Sequence, residues 1–341
     1  MGYLLGMQNL RIGLIGLGIH GSRYARHLAA GEVEGAELAA VSRRDRARGE
    51  AQAKELGVSY EPEYERILDD RRIDAVVLAL PPDLHARLVP ESLAAGKAVL
   101  VEKPLAPDAR TARLLVEAGR RSRHPAMVAQ TLRFNRVVQA IRKHRAGLGP
   151  LRMISLSQSF EPSSRTWLDD PLAGGILRNT GVHSFDLVRF LTGLEAEEVL
   201  CFAESVITRR TEDSFAAILR LTGGVLAVVE NCRATDSRSG RIEMVGERGQ
   251  LCGDHVHHHL AKIHGTQSET LDLPPPAATV RDCLASFVEA MRGKIEVPIP
   301  LEEGLKAVEI VDACRESAQM KMPRRVAGHE TKNGGSISPG S

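Results

Sequence analysis

The sequence predicts an α/β fold in two domains, the first with a parallel sheet and the second with an open, mostly antiparallel sheet. Three observations support this prediction. The chain has 341 residues, more than a single hydrophobic core usually serves. Short apolar runs alternate with amphipathic segments up to about residue 130. Beyond that point, several strand candidates follow one another with no helix between them.

The first part of the chain repeats a strand–helix unit. Its apolar runs are typical of strands buried on both faces of a parallel sheet, and they cover residues 11–15, 37–41, 74–80, 98–101 and 126–129. Segments with helical spacing lie between them, at residues 22–30, 45–56, 83–95 and 108–121. Two of these segments are followed by glycines, Gly31 and Gly57, as expected for helix C-caps. Residues 8–130 are therefore predicted to form a Rossmann-type dinucleotide-binding domain.

The second part, residues 131–325, is predicted to be an α+β domain. Helices are expected at residues 133–145, 174–191, 280–292 and 301–319. Strands are expected at residues 151–160, 198–207, 213–221, 225–231, 241–246 and 250–251. The tripeptide at 222–224, Thr-Gly-Gly, lies between two apolar runs and predicts a hairpin turn. Residues 327–341 are rich in Gly, Ser and Lys without apolar spacing, so a disordered tail is expected there.

Composition excludes several kinds of partner. The chain carries 45 basic and 43 acidic side chains, a net charge of +2, which does not suggest binding to nucleic acid or to a membrane surface. No apolar run is long enough to span a bilayer. The five cysteines include no C-x-x-C pair, and an odd number cannot all be joined in disulfides. We therefore expect a cytoplasmic protein with reduced thiols.

A glycine-rich turn follows the first predicted strand. Residues 16–21 read GLGIHG and match the G-x-G-x-x-G pattern, with a strand before it and a helix after it. Gly16 permits the tight turn, Gly18 lets the backbone approach a pyrophosphate, and Gly21 lets the helix pack close to the strand. The helix N-terminus then attracts the anion. This context predicts a dinucleotide site rather than a glycine-rich loop without a ligand.

The end of the second predicted strand indicates which dinucleotide is bound. Sites that prefer NAD usually place an acidic residue here to bind the ribose 2′-hydroxyl. This chain has Ser42, Arg43 and Arg44 instead, a hydroxyl and two guanidinium groups that suit a 2′-phosphate. We therefore expect NADP(H) to be preferred. NAD(H) stays possible, because Asp45 is close enough in sequence to bind the ribose while the arginines are merely solvated.

Two further segments carry groups suited to proton transfer. Residues 97–104 read KAVLVEKP, which places Lys103 at the carboxyl end of a buried strand, where open α/β sheets bind ligands. A lysine there can donate to a substrate hydroxyl. Residues 179–186 read NTGVHSFD and include His183. Taken alone, a histidine within a helix is more often structural than catalytic.

Together these segments resemble the glucose–fructose oxidoreductase/inositol dehydrogenase (Gfo/Idh/MocA) family. The resemblance is carried by the glycine motif, by EKP at 102–104, and by the glycine pair at 174–175 followed by G-x-H-x-x-D at 181–186. It extends over residues 11–323 and includes LPP…H at 80–85, W…D at 167–170 and an I-x-x-x-G-x-x-G-x-L-like segment at 242–251. The resemblance implies a nicotinamide-dependent oxidoreductase whose open sheet forms an oligomer interface, in a dimer or tetramer.

The resemblance also implies roles for individual residues. Lys103 would hold the reacting hydroxyl, and His183 would be the acid/base that exchanges its proton. Asn179 stands where the family often has an Asp, and a neutral amide can orient the imidazole but stabilises its positive charge much less. Arg133 and Trp167 are expected near the substrate. The residues predicted to line the cofactor are Gly16, Gly18, Ile19, His20, Gly21, Ser42, Arg43, Arg44, Leu80, Pro81, His85, Glu102, Lys103 and Pro104.

One histidine-rich segment, residues 255–259, reads HVHHH. Alternate histidines on a strand share a face and could bind a metal, but the remaining ligands have no evident spacing, so no metal site is predicted.

The sequence thus predicts reversible hydride transfer between NAD(P) and a carbinol or carbonyl carbon of a sugar, inositol or related polyol. Two alternatives remain open at this point. One is a glycosidase that uses tightly held NAD for transient oxidation, and the other is a regulator that binds a dinucleotide without catalysis.

Overall fold

A computed structural model describes residues 9–162, 169–170 and 174–328 of the chain. Within these ranges it shows two sheets, each with its own hydrophobic core. The predicted fold class, a parallel-sheet domain followed by a mostly antiparallel one, is confirmed.

The first sheet has six strands, all parallel, in the order β3-β2-β1-β4-β5-β6. The strands are β1 (Leu10–Ile15), β2 (Ala36–Ser42), β3 (Ser59–Tyr60), β4 (Ala75–Leu78), β5 (Ala98–Glu102) and β6 (Ala126–Ala129). Strands β4 and β5 are buried along their whole length, because helices cover both faces of the sheet. The strand order reverses between β1 and β4, which is where open α/β sheets bind their ligands.

Five helices belong to this first part. They are α1 (Ile19–Ala29), α2 (Arg46–Leu56), α3 (Tyr64–Asp69), α4 (Pro82–Ala94) and α5 (Ala109–Arg121). Asp45 and Asp108 cap α2 and α5 by accepting the backbone N–H groups of Arg48 and Thr111. The short pair β3 and α3 is absent from the sequence prediction, since neither is long enough to show a period.

The second sheet has nine strands, in the order β14-β13-β12-β11-β7-β10-β9-β8-β15. The strands are β7 (Leu151–Ser159), β8 (Ala196–Glu204), β9 (Ser214–Leu221), β10 (Leu226–Cys232), β11 (Ser239–Gly246), β12 (Gly249–Asp254), β13 (His259–His264), β14 (Gln267–Thr270) and β15 (Arg324–Arg325). Among the described strands of this sheet, only β7 and β10 pair in parallel. The turn at 222–224 joins β9 to β10 as an antiparallel hairpin, as predicted.

One face of this sheet is covered and the other is open. Along β9 the buried residues, such as Phe215 and Leu219, alternate with exposed ones, such as Ile218. The covered face packs on α6 (Arg136–His144), α7 (Val182–Thr192) and α9 (Leu301–Met320). Helix α8 (Thr279–Met291) returns to the first core instead, where Phe287 is fully buried.

The expected helix at 174–191 is two structures in series. A π-helical turn, Leu177–Gly181, precedes α7 without a break in the chain. The wider turn inserts an extra residue just before the first regular turn of α7. It contains Asn179 and ends two residues before His183.

Candidate active site

The glycine-rich turn between β1 and α1 is shaped by its glycines. Gly16 has φ +103°, and a methyl group there would lie 2.3 Å from the carbonyl oxygen of Ala79. A methyl group on Gly21 would lie 1.8 Å from the carbonyl oxygen of Gly16, so the helix packs directly against the turn. A methyl group on Gly18 would have no neighbouring atom within 4 Å. Open space above the backbone therefore exists at the position predicted to approach a pyrophosphate.

The start of α1 presents backbone donors to that space. Gly18 is the N-cap and makes no side-chain capping bond, and no acidic residue lies in the first turn. The N–H groups of a helix start and the helix dipole favour an anion. Ile19 and His20 are exposed beside them. This arrangement fits a dinucleotide phosphate.

The end of β2 holds the residues predicted to select the cofactor. The guanidinium of Arg43 donates to the carbonyl oxygen of Leu17 and, at 2.8 Å, to Oε1 of Gln52. Arg43 is thereby tied to the glycine-rich turn, while Arg44 is exposed and Ser42 is buried. Asp45 is occupied as a helix cap, since its carboxylate accepts the N–H of Arg48 at 3.2 Å.

The carboxyl end of β5 places Lys103 beside the second domain. Its Nζ donates to the carbonyl oxygen of Asn179 at 2.9 Å. Burial lowers the pKa of Lys103, the carboxylate of Glu102 raises it, and the positive charge of Arg233 lowers it further. Glu102 itself accepts a hydrogen bond from the hydroxyl of Tyr24 at 2.7 Å. The ammonium group is thus held between the two domains in a setting that favours giving up a proton.

Two residues after β4 and one in α4 complete this edge of the sheet. Leu80 lies against the glycine-rich turn, with its Cδ2 atom 2.9 Å from where a methyl group on Gly16 would sit. Pro81 is exposed and precedes α4. His85 is fully buried, and its Nδ1 lies 3.1 Å from the carbonyl oxygen of Leu105. The buried imidazole of His85 therefore holds the segment 102–105 through its backbone at Leu105.

His183 lies in the first turn of α7, half-buried. Its Nδ1 atom is buried without a hydrogen-bond partner in the described part of the chain. Burial is the main reason why its pKa falls well below the ordinary 6.5, and the charges of Lys103, His20 and His255 act in the same direction. The imidazole is neutral at physiological pH. A neutral imidazole can accept a proton.

Asn179 precedes His183 by one helical turn. Its side-chain Nδ2 donates to the carbonyl oxygen of Gly175 at 2.9 Å. Its backbone carbonyl oxygen accepts the hydrogen bond from Nζ of Lys103. The structure thus brings Lys103, Asn179 and His183 to one place, where the resemblance expects the substrate.

Arg133 and Trp167, both predicted near the substrate, are not seen as part of this cluster. The guanidinium of Arg133 is buried and donates to Asp186 at 2.8 and 2.5 Å and to Glu303 at 2.6 Å. Its guanidinium is engaged in this ion-pair network, and a substrate contact for Arg133 stays a prediction. Trp167 lies outside the described residues.

Two basic residues near the site were not predicted. His255 lies in the turn after β12, within the histidine-rich segment considered only for metal binding, and its charge acts on His183. Arg233 directly follows β10, and its Nη2 donates to Oγ1 of Thr180 at 3.0 Å. No sequence motif marks either residue, because strands far apart in the chain bring them here.

Residues 9–162, 169–170 and 174–328 contain no group of three or more His, Cys, Asp or Glu side chains placed to hold a metal ion. In the same part of the chain, no helix combines the length and apolarity that crossing a membrane requires.

Comparison with known families decides the assignment. Residues 10–130 match the model of the Gfo/Idh/MocA oxidoreductase family with an NAD-binding Rossmann fold, and residues 144–326 match the model of that family's C-terminal α/β domain. The chain belongs to the Gfo/Idh/MocA family. The predicted resemblance and the predicted oxidoreductase class, with a nicotinamide dinucleotide as cofactor, are confirmed.

Several proteins named as sugar or inositol dehydrogenases are similar to this chain. An inositol 2-dehydrogenase from Rhizobium meliloti (strain 1021) is 28% identical over 334 residues, which are 93% of this chain and 99% of that protein. Inositol 2-dehydrogenase 1 from Saccharopolyspora erythraea is 31% identical over 71% of this chain and 73% of its own. The crystal structure of a levoglucosan dehydrogenase in complex with NADH has the same fold, with a TM-score of 0.85 at 21% identity over 94% of this chain and 99% of its own.

Proposed function

We propose that this protein transfers a hydride between NAD(P) and a carbinol or carbonyl carbon of a sugar, inositol or related polyol. The observation that carries the proposal is the meeting of Lys103 and His183 beside the carboxyl edge of the first sheet, joined through Asn179. The relatives named for inositol 2-dehydrogenase activity support the same class of alcohol substrate.

The residues divide the work as follows. When bound, the nicotinamide supplies the redox chemistry by accepting or giving the hydride. Lys103 donates a hydrogen bond to the reacting oxygen and fixes its position. His183, held neutral by its surroundings, accepts the hydroxyl proton during oxidation and returns it during reduction. Asn179 aligns both groups, since its carbonyl oxygen holds Lys103 and its place in the π turn sets the start of α7.

We further propose that NADP(H) is preferred over NAD(H). Ser42, Arg43 and Arg44 supply donors at the end of β2 and no acidic residue stands among them. The alternative ribose ligand, Asp45, is engaged as the cap of α2. The family's NAD-binding description and the NADH complex of the levoglucosan dehydrogenase support a nicotinamide dinucleotide without distinguishing the two.

We propose a homo-oligomer that forms through the open face of the second sheet. This face exposes Phe202 (60%), Ile218 (52%) and Leu226 (43%), which are apolar side chains of the kind that mark protein interfaces. Light scattering on an Ile218→Glu variant tests this arrangement: the dimer or tetramer should dissociate. An unchanged mass would show that the contact lies elsewhere.

All five cysteines are free thiols, which supports a cytoplasmic location.

The function is tested by fluorescence titration of the purified protein with NADPH and with NADH. Tight binding of NADPH, followed by reduction of NADP when polyols and sugars are supplied, supports the proposal. Hydrolysis of glycosides without net cofactor turnover would replace it with the glycosidase alternative. Dinucleotide binding with no turnover of any alcohol would replace it with the regulator.

A further inference from the structure

The hydroxyl of Tyr24 is buried between α1 and the end of β5. Tyr24 lies in α1, the helix that begins at the glycine-rich turn, and only 1% of the residue is exposed. Its hydroxyl donates to Oε1 of Glu102 at 2.7 Å, across 78 residues of sequence. Burial raises the pKa of Tyr24 well above its usual range, and the charge of Glu102 raises it further. The hydroxyl therefore keeps its proton and acts as a donor.

The carboxylate of Glu102 connects Tyr24 to the backbone of Lys103. While Oε1 accepts the tyrosine hydroxyl, Oε2 accepts the backbone N–H of Lys103 at 3.1 Å. Glu102 is 7% exposed, and a buried carboxylate is costly unless it is hydrogen-bonded. Each of its two oxygens thus has a donor, one from α1 and one from the segment that carries the lysine.

The hydrogen bonds continue into the second domain. The ammonium of Lys103 donates to the carbonyl oxygen of Asn179, so the backbone of this lysine bonds the carboxylate while its side chain bonds the π turn. A chain of hydrogen bonds therefore runs from α1, through the end of β5, to the start of α7. It joins the helix proposed to receive the pyrophosphate to the group proposed to hold the reacting oxygen.

The charge of Glu102 acts on the titration of Lys103. Burial lowers the pKa of Lys103, Glu102 raises it, and Arg233 lowers it. The charge of Lys103 in turn lowers the pKa of His183. Because Glu102 acts on the ammonium through its charge and on the backbone through a hydrogen bond, the position of its carboxylate bears on both.

Two other titratable side chains interact with the carboxylate of Glu102. They are His85, in α4, and Cys283, in α8. Burial lowers the pKa of His85 and raises that of Cys283, and the charge of Glu102 raises both, so each is neutral at physiological pH. Neither offers Glu102 a positive charge. In the described part of the chain, its hydrogen-bond donors are the hydroxyl of Tyr24 and the backbone N–H of Lys103.

We propose that Tyr24 is a positioning residue that acts through Glu102 on Lys103. Its hydroxyl holds the carboxylate on the backbone of Lys103, so that the ammonium stays available to the reacting oxygen. This inference rests on the proposed function and adds to it a residue enclosed in the first core. Without the hydroxyl, Oε1 is a buried acceptor that lacks its donor, and the carboxylate interacts more strongly with the ammonium.

The first test is the Tyr24→Phe variant, which keeps the ring and removes the hydroxyl. We expect kcat/KM for the alcohol to fall by about tenfold, the value of one hydrogen bond to a charged group. The Kd for NADPH should stay within about threefold, because the removed atom bonds Glu102 and not the start of α1. Unchanged turnover in the folded variant overturns the proposal.

A matched control removes the same kind of bond elsewhere in the first domain. The hydroxyl of Tyr64, in α3, donates to Oε2 of Glu91, near the end of α4, at 2.9 Å. Tyr64→Phe should leave kcat/KM unchanged. A tenfold loss in this variant as well would show that any tyrosine–carboxylate bond of this domain has the same effect, which overturns the specific role of Tyr24.

A double-variant cycle separates positioning from packing. Tyr24→Phe is repeated in a Glu102→Gln protein, where no carboxylate charge acts on Lys103. The loss caused by Tyr24→Phe should shrink to within about threefold in that background, because the effects of two interacting groups are not additive. The same tenfold loss in both backgrounds overturns the proposal, since the hydroxyl would then act without Glu102.

The closing experiment measures Lys103 without turnover. An NMR titration of protein isotope-labelled at the lysine Cε atoms gives its pKa, and Lys103→Met identifies its resonance. Glu102→Gln should lower this pKa, because it removes the charge that raises it, whereas Tyr24→Phe should raise it. An unchanged or lower pKa in Tyr24→Phe overturns the proposal. If Tyr24→Phe does not fold, an unchanged pKa in Glu102→Gln overturns it instead.

The two levels of proposal fail differently. A wild-type protein that oxidises no alcohol contradicts the function, while the titration of Lys103 still decides whether Tyr24 acts on it. Alcohol oxidation with an unchanged Lys103 titration in Tyr24→Phe contradicts only the role of Tyr24.

Discussion

The ammonium of Lys103 donates to the carbonyl oxygen of Asn179 at 2.9 Å, across 76 residues of sequence. This bond joins the end of β5 in the first sheet to the π turn that precedes α7 in the second domain. Because His183 lies two residues after that turn, this hydrogen bond helps to set the relative positions of the two groups proposed to handle the substrate hydroxyl. It also explains why the backbone of Asn179 matters separately from its side chain.

Replacing Lys103 by Met should remove the donor to the reacting oxygen while keeping the length and apolar stem of the side chain. We expect kcat/KM to fall by about 10²–10⁴-fold, the usual contribution of a positioned proton-transfer group. Binding of NADPH should change little, as measured by fluorescence titration. The exposed Lys54, replaced in the same way, is the matched control. A Lys103→Met enzyme with near-normal turnover would exclude the assigned role.

The acid limb of the pH profile should report His183. Burial and three basic neighbours hold its pKa well below 6.5. The value of kcat/KM for alcohol oxidation should therefore stay constant through pH 6.5 and fall only at a lower pH, where the imidazole takes up a proton. Asn179→Asp should raise the pKa of His183 and so move the acid limb to higher pH, because a nearby carboxylate favours the charged imidazole.

The same change also removes the donor that the Asn179 side chain offers to Gly175. Asn179→Ala removes that donor without adding charge and is the control for it. The two variants should lose comparable thermal stability, but only Asn179→Asp should shift the limb. A pH profile that is identical in wild type and Asn179→Asp would count against His183 as the titrating group.

Two glycines of the same motif should respond differently to alanine. At Gly18 a methyl group meets no protein atom, so Gly18→Ala should keep the melting temperature and weaken dinucleotide binding by about tenfold or more, since it fills the space reserved for the pyrophosphate. At Gly21 the methyl group lies 1.8 Å from a carbonyl oxygen, so Gly21→Ala should lower the melting temperature itself. Unchanged affinity in a folded Gly18→Ala protein would place the cofactor elsewhere.

The two arginines after β2 should be separable. Arg44 is exposed, so Arg44→Gln should weaken NADPH binding by about tenfold, the value of one charge-assisted contact, and leave NADH unaffected. Arg43 also ties Leu17 to Gln52, so Arg43→Gln should weaken both dinucleotides by loosening the glycine-rich turn. Steady-state kinetics with NADP and with NAD measure the cofactor preference as the ratio of the two kcat/KM values. A wild-type preference for NAD would refute the proposed selectivity.

The buried pair of Arg133 and Asp186 should be a stability element. Asp186→Ala leaves a buried guanidinium with only part of its partners, and breaking such a pair costs about 3–5 kcal/mol. Denaturant unfolding measures the loss. A variant as stable as wild type would mean that Glu303 alone satisfies Arg133.

The sequence reveals those parts of the fold that depend on local pattern. Strands such as β4 and β5 are continuous apolar runs, and the glycine motif lies between a clear strand and a clear helix, so both were predictable. Strand β14 was missed because all four of its residues are exposed and polar, which leaves no alternation to detect. The π turn was also missed, since a helix with one extra residue has nearly the same hydrophobic spacing as a regular one.

The candidate site was only partly predictable, because much of it depends on distant contacts. Lys103 and His183 stood out through the family resemblance. The partners of Arg133 lie 53 and 170 residues away, so its ion pairs with Asp186 and Glu303 cannot be predicted from local sequence. His255 reaches the site only because β11 and β12 pair and Gly240 leaves room for its ring.

The most direct test of the central claim is a single-turnover experiment. The protein is mixed with NADP and a panel of neutral and acidic polyols, and reduced nicotinamide is followed by its absorbance in the wild type, Lys103→Met and His183→Ala. We expect reduced nicotinamide to form in the wild type and to be slowed at least about 10²-fold in both variants, with NADPH binding retained. Equal rates of reduction in all three proteins would contradict the roles of Lys103 and His183. No reduction by the wild type with any alcohol would contradict the proposed hydride transfer.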